Sequence, residues 1–259
     1  MNDPISLFGD KIMEVGGLLG RASFLLVRTI ASLRGVVTHP RRVLVQMVRV
    51  GWDSFPIVAL MAIFTGMTIG LYSGLALQDV GGERYQANIV SQALVLQLGP
   101  MLTALLLAGR VGAAFTAEIG TMNVDDEIDA LHTLGISPVR YLTVPRFAAA
   151  VIMMPILVSY ASMLGMVGGA LVGKAYFGLS YEAYMRQITD SLKLRHIIEG
   201  QLKAITYGGL IAIFACQRGF DTRGGAEGVG RAITSGVVTS FVAVFVANYF
   251  ITFWMRSGS

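Results

Sequence analysis

The residues most able to do chemistry in this chain are charges placed where charges are costly. Glu199 and Lys203 stand four apart, beside and just ahead of the apolar run Ala204 to Gln217. On a helix such a carboxylate and ammonium share one face and can pair. At membrane depth the pair would turn toward a cavity or a protein neighbour, or else both groups would snorkel to the interface from a helix end. Gln97 and Pro100 interrupt a second apolar run. Proline withholds a backbone donor, so a kink is expected there, and Gln97 calls for a wet or protein-lined position.

A second concentration of charge lies in AEIGTMNVDDEIDALHTLGISPVRYLTVPR, Ala117 to Arg146. Asn123 is placed to cap a helix whose first turn carries Asp125, Asp126 and Glu127, acids suited to the positive end of the helix dipole. Val124, Ile128, Leu131 and Leu134 then form an apolar stripe, and Gly135 and Pro138 end the helix. An acidic amphipathic helix does not suit an anionic lipid surface. It docks onto a protein partner, or it caps its own bundle.

Other chemistry lacks its residues. No G-x-x-x-x-G-K-[ST] occurs, so the chain has no phosphate cradle of its own for ATP. His39, His132 and His196 are far apart, and no H-E-x-x-H, G-x-S-x-G or cysteine pair accompanies them. No cofactor or metal on this chain and no nucleic-acid partner are expected. The single cysteine, Cys216, reads as a small buried hydrophobe. The run Gly224 to Gly230 reads as a flexible loop.

The elements that must position these groups follow from composition. With 54% hydrophobic and 14% charged residues among 259, the chain has more apolar side chains than a water-soluble domain can hide. Uncharged runs long enough to cross about 30 Å of hydrocarbon predict an all-α, polytopic membrane protein with about five transmembrane helices, near residues 54–78, 88–110, 146–174, 197–217 and 231–255. The fourth is short unless it begins near Ile197, an extension that takes Glu199 and Lys203 into the membrane. Residues 1–50 form an amphipathic N-terminal region and 51–259 the membrane domain, with the acidic helix over about 123–135. From Arg41 to Val50, apolar Val43, Met47 and Val50 share one helical face and Arg42, Gln46 and Arg49 another, as in a helix lying in the interface. His39-Pro40 separates it from an earlier helical stretch around Leu18 to Leu33.

Orientation follows from the basic residues. With the N-terminus in the cytoplasm and five crossings, thirteen of the twenty Lys and Arg fall inside, beginning with Lys11, Arg21, Arg28 and Arg34, while Arg84 and Lys174 are among those outside. Asp3, Asp10 and Glu14 interrupt the start, so no cleavable signal peptide is expected. Small-xxx-small stripes at Gly66, Gly70 and Gly74 and at Gly165, Gly169 and Gly173 point to a tightly packed helical core or a dimer seam.

The stretch LGPMLTALLLAGRVGAAFTAEIGTMNVDDEIDALHTLGISPVRYLTVPR, Leu98 to Arg146, resembles the signature region of the MlaE-type permeases, membrane subunits of MCE-associated lipid ABC transporters. The likeness extends to LGRASFLL at Leu19 to Leu26, to the spacing of the spans and to the glycine-rich segment near Phe220 to Arg231. It implies a homodimer in the bacterial inner membrane, joined to cytoplasmic ATPase subunits that bind the ATP and magnesium, to small STAS-domain proteins, and to a periplasmic ring of MCE subunits. The implied cargo is phospholipid moving between the inner membrane and the cell envelope, in maintenance of outer-membrane asymmetry. Import of a sterol, fatty acid or other hydrophobic solute is the near alternative, and a membrane-embedded lipid-modifying enzyme a more distant one.

The same resemblance implies residue roles. The acidic helix corresponds to a coupling helix seated in the ATPase, with Glu118, Asp125, Glu127, Asp129, Leu131 and Arg140 carrying the contact. Lys203 corresponds to a basic residue on the lipid route and the span near Met67 to Leu75 to the wall of a pocket; on that basis we expect Met67, Leu71 and Leu75 to hold acyl chains between two copies, and Tyr72, Gln97, Glu199 and Lys203 to lie at the head group. The position before Leu98-Gly99-Pro100 is often acidic in the family and is Gln97 here, a departure that bears on any role resting on negative charge at that point.

Overall fold

The computed structural model describes residues 4–33, 40–78, 82 and 85–257, with backbone only over 4–15. The break expected at His39, the basic residues Arg34 and Arg84, and the side chain of Lys11 lie outside what is described. Every regular element among the described residues is helical, and five helices are long and apolar enough to cross a membrane.

Helix α1 runs Pro4–Ala31 and α2 runs Pro40–Val50. A single 3₁₀ turn, Trp52–Ser54, carries α2 into α3, Phe55–Gln78, so the amphipathic helix and the first span form one nearly continuous run. Helix α4 runs Gln86–Val124, α5 Glu127–Thr133, α6 Val139–Phe177, α7 Tyr181–Ser191, α8 Leu194–Phe220 and α9 Gly225–Ser257. At about 1.5 Å per residue the 27 residues of α8 reach about 40 Å, enough to span. Starting three residues ahead of Ile197, this helix does carry Glu199 and Lys203 along its length.

The two glycine stripes meet each other within one chain. A Cβ on Gly66 would collide with the carbonyl of Gly165, one on Gly168 with the carbonyl of Ile63, and one on Gly70 would lie 3.1 Å from the Cα of Gly169. The stripes therefore form the α3–α6 seam. With no hydrophobic drive between helices in lipid, this close backbone approach supplies the packing contacts that hold the pair. Gly173 completes the arrangement by receiving Gln86 and Tyr184 rather than another glycine.

The central core joins α3, α4, α6, α8 and α9 through Val58, Leu107, Phe115, Met154, Tyr207, Ile211 and Val244. At one end of the bundle, Leu18, Ala22 and Leu25 of α1 pack with Ile119, Ile128, Leu142, Ile213 and Cys216. At the other, α7 lays Tyr184 and Ile188 over Ala87 and Ala170. Burial holds the Tyr184 phenol well above the usual tyrosine range, so it stays neutral.

Two local expectations are corrected. Asn123 does not cap the acidic helix: it belongs to the last turn of α4, and its side-chain amide donates to the carbonyls of Phe220 at 3.3 Å and Thr222 at 2.8 Å. The cap of α5 is Asp126, in the left-handed region at φ 58°. The run after Gly224 is not a flexible loop, because α9 already begins at Gly225 and only Asp221 to Gly224 connect it to α8. Gly228 is needed there, since a Cβ would strike the carbonyl of Arg223 in the first turn.

Candidate functional site

Helix α4 is not a uniform α-helix. It passes through two π-turns, Leu94–Leu98 and Ala108–Gly112, the first directly before Pro100. Gly99 donates its N–H to the carbonyl of Leu94, five residues back, and Pro100 has no N–H to give, so the expected irregularity takes the form of a widened turn. Lys203 of α8 meets this point. Its ammonium donates to the Leu96 carbonyl at 2.7 Å and to Gln97 Oε1 at 3.4 Å, and pairs with Glu199 at 3.0 Å. Those three acceptors match the three protons of an ammonium. Lys203 is 1% exposed, so a charge that would be prohibitive alone is held by a full set of partners. The snorkelling alternative for this residue is therefore not what the fold adopts.

Of the residues expected at a lipid site, the chain brings together Gln97, Glu199 and Lys203 only. Met67 and Leu71 are half-buried on α3, while Tyr72 and Leu75 face outward at 69% and 49% exposure. Helix α3 packs chiefly on α6 and the start of α4, and α8 on α6, α9 and α4, so the proposed apolar wall and the polar node do not share an interface within one copy.

A second polar centre lies at the α1–α5 end. Glu118 accepts from Arg49 of α2 and from Arg146 of α6, both at 2.6 Å. Arg146 also donates to the Leu142 carbonyl at 2.9 Å and stands over the Phe115 ring at 5.6 Å. One carboxylate thus ties three helices together. Nearby, Arg110 donates to Ser54 Oγ at 2.6 Å and lies 3.7 Å from Asp53. Spacing did not reveal Arg49, Arg146 or Arg110 as partners, because they lie 69, 28 and 56 residues from their acceptors in sequence. The visible signal was that basic residues border apolar runs, which places them at helix ends without saying what they touch.

Beside this centre is a cleft of about 510 Å³ lined by Arg49, Glu118, Thr121, Met122, Glu127 and Arg146. The acidic helix α5 turns Ile128 into the bundle and keeps Leu131 half-buried, while Asp125, Glu127, Asp129 and Arg140 are exposed and Leu134 is 72% exposed. Its apolar stripe is therefore divided between its own bundle and a free surface. Among the described residues no group of three His, Cys, Asp or Glu is placed to hold a metal ion.

Comparisons with known proteins agree with this architecture. The profile of the family described as Permease MlaE matches residues 43–254. The chain is 40% identical over 242 residues, 93% of its length and 92% of the relative's, to a Rickettsia typhi protein named Probable ABC transporter permease protein. It is 32% identical over 249 residues, 96% of its length and 95% of the relative's, to the Haemophilus influenzae Intermembrane phospholipid transport system permease protein MlaE. An Arabidopsis thaliana protein, TRIGALACTOSYLDIACYLGLYCEROL 1, chloroplastic, is 33% identical over 227 residues, 88% of this chain and 65% of its own. With five membrane-crossing helices, the Leu98 to Arg146 signature and a family match over most of its length, this chain belongs to the MlaE family of ABC transporter permeases.

Proposed function

We propose that two copies of this chain form the lipid pathway of an ABC transporter in the bacterial inner membrane, N-terminus in the cytoplasm, carrying phospholipid between that membrane and the periplasmic side. As an ABC permease the chain is not itself an enzyme, and its family implies an ATPase partner. A periplasmic MCE ring and a STAS-domain subunit complete the proposed assembly. The observation that carries the reading is the buried Lys203–Glu199 pair set against the π-turn before Pro100. An ion pair at membrane depth is costly to keep and marks a transport path by default. The phospholipid transport named for the Haemophilus influenzae relative supports the choice of cargo.

In this reading Met67, Leu71 and Leu75 hold acyl chains in a cavity closed by the second copy, and Tyr72 and Gln97 border the head group. The longest of the three Lys203 contacts, to Gln97 at 3.4 Å, is the one a phosphate oxygen would replace. Glu199 keeps the ammonium oriented throughout. ATP binding by the partner narrows the cavity, with motion entering through α5 and the Glu118 centre. The test is lipid transfer between liposomes by the reconstituted complex: Glu199→Leu/Lys203→Met should abolish transfer while leaving the complex assembled. Full transfer by that variant removes Lys203 from the route.

A further inference from the structure

A cleft of about 550 Å³ lies between α2 and the start of α6, apart from both centres described above except that Arg146 reaches each of its neighbours' walls. It is lined by Arg41, Arg42, Val45, Gln46, Tyr141 and Arg146 among others; Arg146 is paired with Glu118 at 2.6 Å, so Arg41 and Arg42 carry the cationic character of the cleft. Two polar atoms here are buried without hydrogen-bond partners among the described residues: the Nε donor of Arg146, a residue 6% exposed, and the Oε1 acceptor of Gln46. Buried polar atoms are rarely left in this state, and because both side chains line the cleft, a ligand offering an acceptor and a donor would suit them. Arg42 is already fixed, its guanidinium 4.1 Å over the Tyr141 ring, which leaves its edge N–H groups available to an anion.

The surroundings decide what kind of anion fits. Leu44, Val45 and Val48 of α2 are exposed, and Trp52 beyond them is 73% exposed at the turn where the chain enters its first span. Exposed aliphatic side chains with a tryptophan at a span entrance are the composition of a membrane interface. A docking acidic protein segment would need the arginines but not this apolar flank. We infer that the α2–α6 cleft is a binding site for one phospholipid of the adjoining leaflet, its phosphate on Arg41, Arg42 and Arg146 and an ammonium or hydroxyl of its head group on Gln46. Held there, the lipid joins α2 to α6 beside the Arg49–Glu118–Arg146 centre.

Native mass spectrometry of the full chain purified with its ATPase, in phosphate-free buffer, tests this. The probes are phosphatidylethanolamine, phosphatidylglycerol, diacylglycerol and inorganic phosphate, each titrated separately. Retention of one phosphatidylethanolamine or phosphatidylglycerol per chain is expected, falling about tenfold in the Arg41→Gln/Arg42→Gln double variant, whose sites are exposed and do not hold the core. Gln46→Met should weaken retention of both lipids. Equal retention by the arginine variant or equal binding of diacylglycerol overturns the proposal. Binding of inorganic phosphate alone assigns a free anion instead, and loss of the ATPase from the arginine variant with lipid adducts unchanged assigns the surface to a protein.

Discussion

The ammonium of Lys203 lies 2.7 Å from the carbonyl of Leu96, inside the π-turn Leu94–Leu98 that ends just before Gly99 and Pro100. A side chain on α8 thus supports a defect in α4, and the two helices are joined at the point where α4 is least regular. A charge placed in this way has a structural consequence and, under the proposed function, a transport consequence, and the two can be separated.

Lys203→Met leaves Glu199 buried without its partner, at a cost of about 3–5 kcal/mol. The double variant Glu199→Leu/Lys203→Met removes both charges and should recover most of that stability while transfer stays impaired. Thermal unfolding in detergent, read beside liposome transfer, distinguishes the two effects. Recovery of transfer along with stability would mean that the pair only holds the helices together.

The glycine seam sets a sharp contrast between positions. Gly66→Val should abolish folded protein, because its side chain would occupy the space of the Gly165 carbonyl, whereas Gly109→Ala meets nothing within 4 Å and should be neutral or slightly stabilising. Yield of monodisperse protein and its melting temperature check both.

At the three-helix centre, Arg146 is largely buried and Arg49 half-exposed. Glu118→Ala should cost about 3 kcal/mol through the uncompensated Arg146, while Arg49→Ala should cost about 1 kcal/mol or less. Hydrogen exchange over residues 40–50 should rise in Glu118→Ala. Equal effects of the two substitutions would contradict the assignment of Arg146 as the stronger partner.

The acidic helix should separate folding from partner binding. Reversing Asp125, Glu127 and Asp129 to lysine leaves the melting temperature within a few degrees, since all three are exposed, but should detach the ATPase or lower its activity. Ile128→Asp should unfold the α1–α5 end, and Leu134→Asp should weaken only co-purification. Unchanged co-purification and ATPase activity in the charge-reversed protein would sink the coupling role.

Much of this was legible because the bilayer is a demanding solvent. Apolar runs of span length leave few alternatives to a helix, and the Glu199 and Lys203 spacing already implied a pair on one face. The acidic stretch at 125–129 was equally visible as a helix with a charged side. The start of that helix was not, because Asn123 satisfies carbonyls almost a hundred residues away rather than its own neighbours. The glycine run after Gly224 misled for a similar reason: glycine signals either freedom or close approach, and only the position of the Arg223 carbonyl tells which.

By itself the sequence determined the solvent, the number of spans, the family and the membrane-depth charges, since each depends on local composition or on a contiguous motif. Tertiary structure decided that the two glycine stripes face one another within a copy, that Glu118 binds arginines from two other helices, and that Lys203 meets the Leu96 carbonyl in the π-turn of α4. Those contacts join residues far apart in the chain. Their partners are chosen by how helices cross and pack, and helix periodicity specifies a face without specifying what it will meet.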